Sequence, residues 1–247
     1  MNHRTLTLAL ALCLTGAALP SLAGTVVAPG TGKGTVNKSL EVEAGTAVKD
    51  VETVNGSIEI GEGGRAEEVS TVNGGIRLGG QVSAQSIESV NGSIRAGDEL
   101  AVDDDIETVN GSIELGARAS IGGSLGTVNG SIRASRGEVR GDVETVNGKL
   151  ALSAMRIGGD VELVNGRVEL LDASVVAGDV RVRESKRSGG WWGSKPKPPV
   201  VIIGAGSEVR GRIVIENPET KLYIHETARV GAVEGATAQR FQAEAPE

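Results

Sequence analysis

The triplet Val-Asn-Gly recurs along this chain at an almost constant interval, and that recurrence limits the possible folds more than any other feature. The steps between successive asparagines are 18, 18, 19, 19, 18 and 18 residues. A degenerate copy, Thr35 to Leu40, lies one further step of 18 residues upstream. A period this short indicates a repeat architecture in which each unit packs against its neighbours. The repeated asparagines are Asn55, Asn73, Asn91, Asn110, Asn129, Asn147 and Asn165.

Each repeat contains a short alternation of apolar and charged residues, such as Ile58-Glu59-Ile60. Alternation with a period of two is typical of a β-strand that has one side in the core and one side in water. The longer gaps between apolar residues hold Gly, Ser or Asn, which indicate corners. The high density of Gly and Val also disfavours a helix. We therefore predict short strands joined by tight corners.

Two β architectures fit this pattern. Asn-Gly between alternating residues is a strong hairpin signal, but a hairpin centred there would place Glu52 opposite Glu59, and directly opposed like charges are unfavourable. An array of hairpins also has no need for a step that stays constant to within one residue. We therefore predict an all-β fold, a right-handed parallel β-helix with about 18 residues per rung, and keep the antiparallel hairpin array as the alternative.

In a parallel β-helix the asparagines would stack ~4.8 Å apart, close enough for hydrogen bonds between their amide groups. We predict such a structural ladder, with each asparagine in a left-handed corner and each following glycine at a position where a Cβ atom cannot fit. In the Thr-Val pair before each asparagine, one residue must face the core and the other the solvent. Burial of one valine is worth ~1.5–3 kcal/mol, so we predict that valines such as Val54 face the core and that Thr53 faces the solvent. A surface grid of Thr and Asn would follow.

The first 23 residues have the pattern of a secretory signal peptide. Arg4 is followed by an apolar run and then by Ser21-Leu22-Ala23, a small-residue cleavage site. The single cysteine, Cys13, lies in this segment. We therefore predict an exported protein, periplasmic or at the cell surface, that is held together without disulfides.

The remaining chain divides into four segments by composition. Residues 24–34 are predicted to be a flexible lead-in, 35–184 the solenoid repeats, 185–199 a Trp-, Lys- and Pro-rich loop, and 200–247 terminal β rungs with a cap. Terminal repeats are expected to be atypical. We predict that Tyr223 and Phe241 close the end of the apolar core, and that the protein is a monomer or small homo-oligomer.

Residues suited to catalysis are scarce. Outside the predicted signal peptide the only histidine is His225 and there is no cysteine, so a nucleophile–histidine system would depend on His225. The net charge of −7 argues against nucleic acid as a partner. We predict no enzyme activity, no cofactor and no metal site.

Two acidic patterns contain carboxylates that are candidate ligands for an ion. Asp103, Asp104 and Asp105 are adjacent, and form either a solvated corner or a Ca²⁺ site. Asp142, Asp160 and Asp179 recur at equivalent places, and we expect each to cap the following turn.

Trp191 and Trp192 are adjacent on the predicted basic loop. They are a possible ligand contact for a sugar or peptidoglycan strand, or else they cover one flank of the solenoid.

The TVNGSI-type repeats behind a signal peptide resemble those of bacterial adhesin-like β-strand-repeat proteins, a family of uncharacterised function. The Gly-Asp-Val rungs at 141–143, 159–161 and 178–180 are similar, more weakly, to those of bactofilins, which form polymers from a right-handed β-helix. These resemblances imply a β-solenoid without catalytic residues. We therefore expect a structural or adhesion module of the cell envelope that contacts an envelope protein or glycan. The alternative is a carbohydrate- or peptidoglycan-binding protein that uses the Trp191/Trp192 loop.

Overall fold

The computed structural model describes residues 25–184 and 197–242, and all regular structure in these ranges is β-strand. The strands pair in parallel with residues one repeat further along, for example Ile58 with Ile76 and Val51 with Val69. About 11 such turns stack as a β-solenoid. The predicted parallel β-helix is therefore confirmed. The hairpin alternative is wrong, because Glu52 and Glu59 lie on different strands of the same turn and pair with neighbouring turns. No helix in the described residues is suited to crossing a membrane.

Each rung has three sides, which we call the first, second and third faces in chain order. The first face begins each rung and carries the Thr-Val-Asn residues. Its strands are Lys33–Thr35, Val51–Thr53, Glu68–Asn73, Ser86–Asn91, Ile106–Asn110, Leu125–Asn129, Val180–Val182, Ile213–Ile215 and Val233–Glu234, together with the first halves of Val143–Ser153 and Val161–Leu171.

The second face follows the Asn-Gly corner, and two long strands run through this corner from the first face. Its other strands are Thr25–Val26, Leu40–Val42, Ile58–Ile60, Ile76–Leu78, Ile94–Ala96, Ile113–Ala117, Ile132–Ser135, Val200–Ile203, Lys221–His225 and Ala238–Phe241.

The third face is a separate sheet of two-residue strands. They are Ser83–Ala84, Ala101–Val102, Ser120–Ile121, Glu138–Val139, Arg156–Ile157, Val175–Val176, Glu208–Val209 and Arg229–Val230.

The core is a single apolar column enclosed by the three faces. Strand alternation supplies it: Ile58 and Ile60 are buried while Glu59 between them is exposed. Val, Ile, Leu and Ala form nearly all of the core cluster. Aromatic residues are absent from this cluster, because a rung of about 18 residues leaves a narrow interior.

The predicted orientation of the Thr-Val pair is wrong. Thr53 is 1 % exposed, whereas Val54 is half-buried on the outside. Strict alternation therefore continues through the whole first-face strand, from Val51 inward to Val54 outward. The energetic reason is that the threonine hydroxyl does not enter the core unpaired: Thr53 Oγ1 donates to the carbonyl oxygen of Lys38 at 3.0 Å. A paired hydroxyl removes most of the cost of burying a polar group.

The left-handed corner also differs from the prediction. Within the described residues, the asparagines of the repeat have no positive φ. Positive φ values occur at the next corner, between the second and third faces, where Gly63 (68°), Gln81 (58°) and Glu99 (62°) take equivalent places. At the Asn-Gly corner Gly166 alone among the repeat glycines has a positive φ (126°), and the reason for glycine that all the rungs share there is space.

The two ends of the solenoid also differ from the predictions. The predicted lead-in is partly ordered sheet, since Thr25 pairs with Leu40 and Lys33 pairs with Val51. Tyr223 does not close the core, because it lies between the core residues Leu222 and Ile224 and points to the opposite side.

Phe241 does not close the core either. Its ring contacts the His225 ring edge to face at the corner, with centroids 5.1 Å apart. Small side chains such as Val230 and Ala238 pack against the core at this end instead.

Candidate functional site

The outer surface of the first face carries three parallel lanes of side chains, and one residue type predominates in each lane. The middle lane is apolar and consists of seven half-buried valines, which we call the valine stripe. Since rungs are ~4.8 Å apart, six steps give the stripe a length of ~29 Å. Its members are Val54, Val72, Val90, Val109, Val128, Val146 and Val164.

The lane on the corner side is the asparagine ladder. The Nδ2 group of each asparagine donates to Oδ1 of the asparagine one rung earlier, as in Asn110 to Asn91 at 2.9 Å. Seven such bonds of 2.8–3.1 Å join eight asparagines, because Asn37 of the degenerate repeat also takes part. The ladder fixes one edge of the valine stripe. The asparagines are Asn37, Asn55, Asn73, Asn91, Asn110, Asn129, Asn147 and Asn165.

The glycine after each asparagine permits this close stacking. A Cβ atom on Gly74 would lie 1.9 Å from the carbonyl oxygen of Gly56, and one on Gly92 would lie 1.7 Å from that of Gly74. These distances are far inside van der Waals contact, so the predicted exclusion of a Cβ atom at this position is confirmed.

The third lane is acidic and lies on the other side of the valine stripe. Glu88 and Glu107 are neighbours on paired strands. Partial burial is the largest cause that raises the pKa of each, and nearby carboxylates raise it further. The lane is interrupted by Ser70 and Gly126. Its glutamates are Glu52, Glu88, Glu107, Glu144 and Glu162.

Glu144 shows the strongest effect in this lane. Its pKa is raised from 4.5 to about 7, chiefly by burial and then by the carboxylates of Glu162 and Asp142, while Arg183 acts in the opposite direction. Glu162 on the next rung has its own partner, because its carboxylate lies 2.6 Å from the Arg183 guanidinium. Glu144 is therefore the glutamate of this lane that is most readily protonated near neutral pH.

The ladder and the stripe end where the predicted loop begins. Val182 still pairs with Leu163, and Val200 pairs with Arg167, so the stacking of rungs continues on both sides of residues 185–196, which lie outside the described residues. Trp191 and Trp192, the predicted ligand contacts, lie outside the described residues. The structure therefore gives no geometry for that hypothesis.

The Gly-Asp column serves the backbone, as predicted. Asp142 Oδ1 accepts the backbone N–H of Asp160 at 2.8 Å, and Asp160 Oδ1 accepts that of Asp179 at 2.7 Å. Asp179 continues the series to the N–H of Arg212, a hydrogen bond that holds the pKa of Asp179 below its usual value. The predicted capping role of this column is confirmed.

The acidic run at 103–105 lies at an exposed corner. Asp105 Oδ1 accepts the N–H of Ser124 at 2.6 Å, and Asp104 Oδ2 accepts from the Gln85 amide at 3.2 Å. Within the described residues no group of three or more His, Cys, Asp or Glu side chains is arranged to hold a metal ion.

His225 has neutral partners in the described part of the chain. Nδ1 lies 2.9 Å from Thr227 Oγ1, and Nε2 lies 3.1 Å from the carbonyl oxygen of Gln242. Neither partner is a carboxylate that would orient the ring as a general base. These contacts are those of a residue that fixes a corner.

The chain matches no protein-family model, and comparison with curated proteins and with solved structures gives no match. Functional inference therefore depends on the geometry alone. A comparison of burial energies alone places the repeated valines in the core, whereas in the structure they form the outward valine stripe. Strict alternation in Val51-Glu52-Thr53-Val54 was the signal that predicts it.

Proposed function

We propose that this protein is an exported, non-enzymatic β-solenoid that acts as a structural or adhesion module of the cell envelope. Its contact surface is the first face, and the valine stripe is the centre of that contact. The partner is a protein surface that presents apolar side chains beside basic ones.

The observation that carries this proposal is the outward position of seven consecutive valines. Isolated apolar side chains on a surface need no explanation, but a contiguous apolar stripe is a feature of interaction sites. The fold has a polar option at this position, since Leu163 pairs with Val182 and the residue after Val182, equivalent to Val164, is Arg183. Formation of the strand therefore does not by itself require valine at this position in every rung from Val54 to Val164.

The acidic lane determines the charge of the partner. A second copy of the first face would bring the glutamates either against glutamates, which repel one another, or against the uncharged asparagine ladder, which neutralises none of them. A basic partner would instead neutralise the lane and offset the neighbouring carboxylates, which raise the pKa of Glu88 and Glu144 in addition to burial. The rigid ladder keeps both lanes straight, so little order has to be created on binding.

Site-specific cross-linking in cells tests the contact surface. A photoreactive residue replaces Val109 in the stripe, and in a control it replaces Arg95, an exposed residue of the second face. We expect a discrete adduct from position 109 only. Equal adducts from both positions, or adducts from position 95 alone, would contradict the assignment of the first face.

Cell fractionation tests the export part of the proposal separately. We expect the chain, shortened at its N-terminus, in the periplasm or at the cell surface. Recovery of the full-length chain in the cytoplasm would contradict export while leaving the result of the cross-linking experiment intact.

A further inference from the structure

A shallow groove of about 420 Å³ crosses three consecutive rungs at the corner between the second and third faces. Its size lies within the ~300–1,000 Å³ that is usual for small-ligand sites. The groove is separate from the valine stripe, which lies on the first face of each rung. Three arginines line the groove: Arg118, Arg136 and Arg156.

Two of these arginines lie in the column of residues with positive φ. Arg118 (62°) and Arg136 (53°) occupy equivalent places, and the N–H of Arg118 donates to the carbonyl oxygen of Arg136 at 2.9 Å. Glycine fills the same place in other rungs, at Gly45 and Gly63, where it carries no steric penalty. A residue other than glycine is strained in this conformation, so these arginines occupy a place that glycine would fill more easily.

The charges in the groove do not cancel. Arg118 is neutralised by Glu99, whose Oε1 lies 2.6 Å from Nη2 of Arg118. Glu138, the acid that lines the groove, lies 4.0 Å from Arg140 Nε. Arg136 and Arg156 are exposed and form no ion pair with a carboxylate of the described residues. Glu138 is also the neighbour of Arg156 on the paired strand. Three arginines and one glutamate in the lining still leave it positive, on a chain whose net charge is −7.

The lining also contains neutral hydrogen-bonding groups. Ser120 contributes a hydroxyl group. Ala119, Gly137 and Ala154 also line the groove, and they are too small to fill the space between the arginines.

An arginine fork binds a phosphate through two parallel N–H···O bonds. Arg118 and Arg136 lie in one column, with their backbones ~5 Å apart. Arg156 instead pairs with Glu138 and so lies diagonally from Arg136, roughly 8 Å away along the backbone surface. This spacing leaves room between the Arg136 and Arg156 side chains for an anionic oxygen group.

We propose that this groove binds phosphate groups, with Arg136 and Arg156 as the principal contacts. This inference is independent of the proposed role of the valine stripe. The phosphate has two possible sources, a soluble phosphorylated compound or the headgroup of an anionic lipid.

Calorimetric titration of the full chain with inositol hexakisphosphate tests the proposal, with glucose as a neutral control. The test variant is Arg136→Gln/Arg156→Gln. The matched control is Arg95→Gln/Arg133→Gln, which removes the same charge from the second face, where both arginines pair with Glu114. We expect one molecule of the phosphate compound to bind per chain. Its affinity should be about tenfold lower for the test variant than for the parent, and within about twofold of the parent for the control.

Three results would overturn the proposal. They are an equal loss in both variants, no loss in the test variant, and no binding of the phosphate compound by the parent chain. Equal loss would identify a general effect of net charge. Sedimentation with vesicles that contain phosphatidic acid separates the two sources. Binding to vesicles lost in the test variant supports a lipid headgroup, and binding to the soluble phosphate alone supports a soluble ligand.

Discussion

Thr71 Oγ1 donates a hydrogen bond of 3.1 Å to the carbonyl oxygen of Gly56, which lies in the Asn-Gly corner one rung earlier. The same bond recurs through the repeats, so a column of buried hydroxyl groups holds the column of corner glycines from inside. This relationship explains why threonine or serine, rather than valine, faces the core in the rungs up to Thr145; in the next rung the apolar Leu163 takes this place. The other donors are Thr53, to the carbonyl oxygen of Lys38, and Ser89, Thr108, Thr127 and Thr145, to those of glycines.

Loss of one buried hydroxyl should therefore destabilise the solenoid. Thr108→Val keeps the shape of the side chain but removes the 3.0 Å bond to the Gly92 carbonyl oxygen. We expect the free energy of unfolding in urea to fall by about 1–2 kcal/mol. The control Val109→Thr, on the outside, should change it by less than about 0.5 kcal/mol. A larger loss from the control than from Thr108→Val would contradict the orientation.

The asparagine ladder predicts a dependence on position. Asn110 takes part in two amide bonds, to Asn91 and from Asn129, whereas Asn37 at the end of the ladder takes part in one. Asn110→Ala should cost about 1–2 kcal/mol in urea unfolding, and Asn37→Ala about half as much, since each exposed bond contributes ~0.5–1 kcal/mol. Equal losses at the two positions would show that the ladder bonds do not stabilise the fold.

The corner glycines predict a steric penalty. A Cβ atom on Gly111 would lie 2.0 Å from the Gly92 carbonyl oxygen, and backbone on a paired rung cannot move away without disturbing its neighbours. We expect Gly111→Ala to lower the thermal midpoint and the unfolding free energy, the latter by about 2–4 kcal/mol.

Gly80→Ala is the matched control for that substitution. Its Cβ atom would lie 3.6 Å from the Asp98 carbonyl oxygen, an ordinary contact. Its effect should be close to zero or slightly stabilising, because alanine restricts the unfolded chain. Tolerance of alanine at both positions would remove space as the reason for the Asn-Gly pair.

The repeat pattern was sufficient to predict the fold but not the direction of every side chain. The 18–19-residue step and the alternation in Ile58-Glu59-Ile60 determine the rung length and the parallel stacking. The orientation of Thr53 and Val54 depends on a hydrogen bond between rungs, which no local preference reveals. Comparison of transfer energies alone favoured the wrong residue, because it omitted this partner.

The corner of positive φ was missed for a related reason. Gln81 and Arg136 are unusual there, and neither residue type predicts a left-handed conformation. Glycine at Gly45 and Gly63 was the available signal, but it identifies the position only after the rungs have been aligned. The groove beside Arg136 could not be predicted, because its arginines come from three turns.

Stability should depend on pH through the acidic lane. The pKa of Glu144 is raised to about 7 in the folded protein, chiefly by burial, from the ordinary 4.5. A raised pKa means that the folded state holds the proton more tightly, so this contribution is fully present below about pH 4.5 and is lost as the pH rises through about 7. The charged groups that act on Glu144 are Glu162, Asp142 and Glu107, which raise its pKa, and Arg183, which lowers it.

Glu144→Gln isolates this contribution because it keeps the shape and removes the charge. We expect the variant to be more stable than the parent at pH 8 by about 1–3 kcal/mol, with the difference disappearing towards pH 4.5. Thermal unfolding from pH 4.5 to 8 measures it. Glu59→Gln, at an exposed site on the second face, should leave the parent profile unchanged. A Glu144→Gln profile that ran parallel to that of the parent would show that Glu144 does not titrate in this range.

Thiol labelling of the native protein tests most directly the claim that the first face presents valine outward and threonine inward. In a Cys13→Ser background the chain has no other cysteine, so Val109→Cys and Thr108→Cys each carry one thiol. We expect Val109→Cys to react within about tenfold of the rate of the unfolded chain, and Thr108→Cys to react at least about 100-fold more slowly, because its reaction requires opening of the core. Rapid labelling at position 108 with protection at position 109 would contradict the outward valine stripe and the contact surface proposed from it.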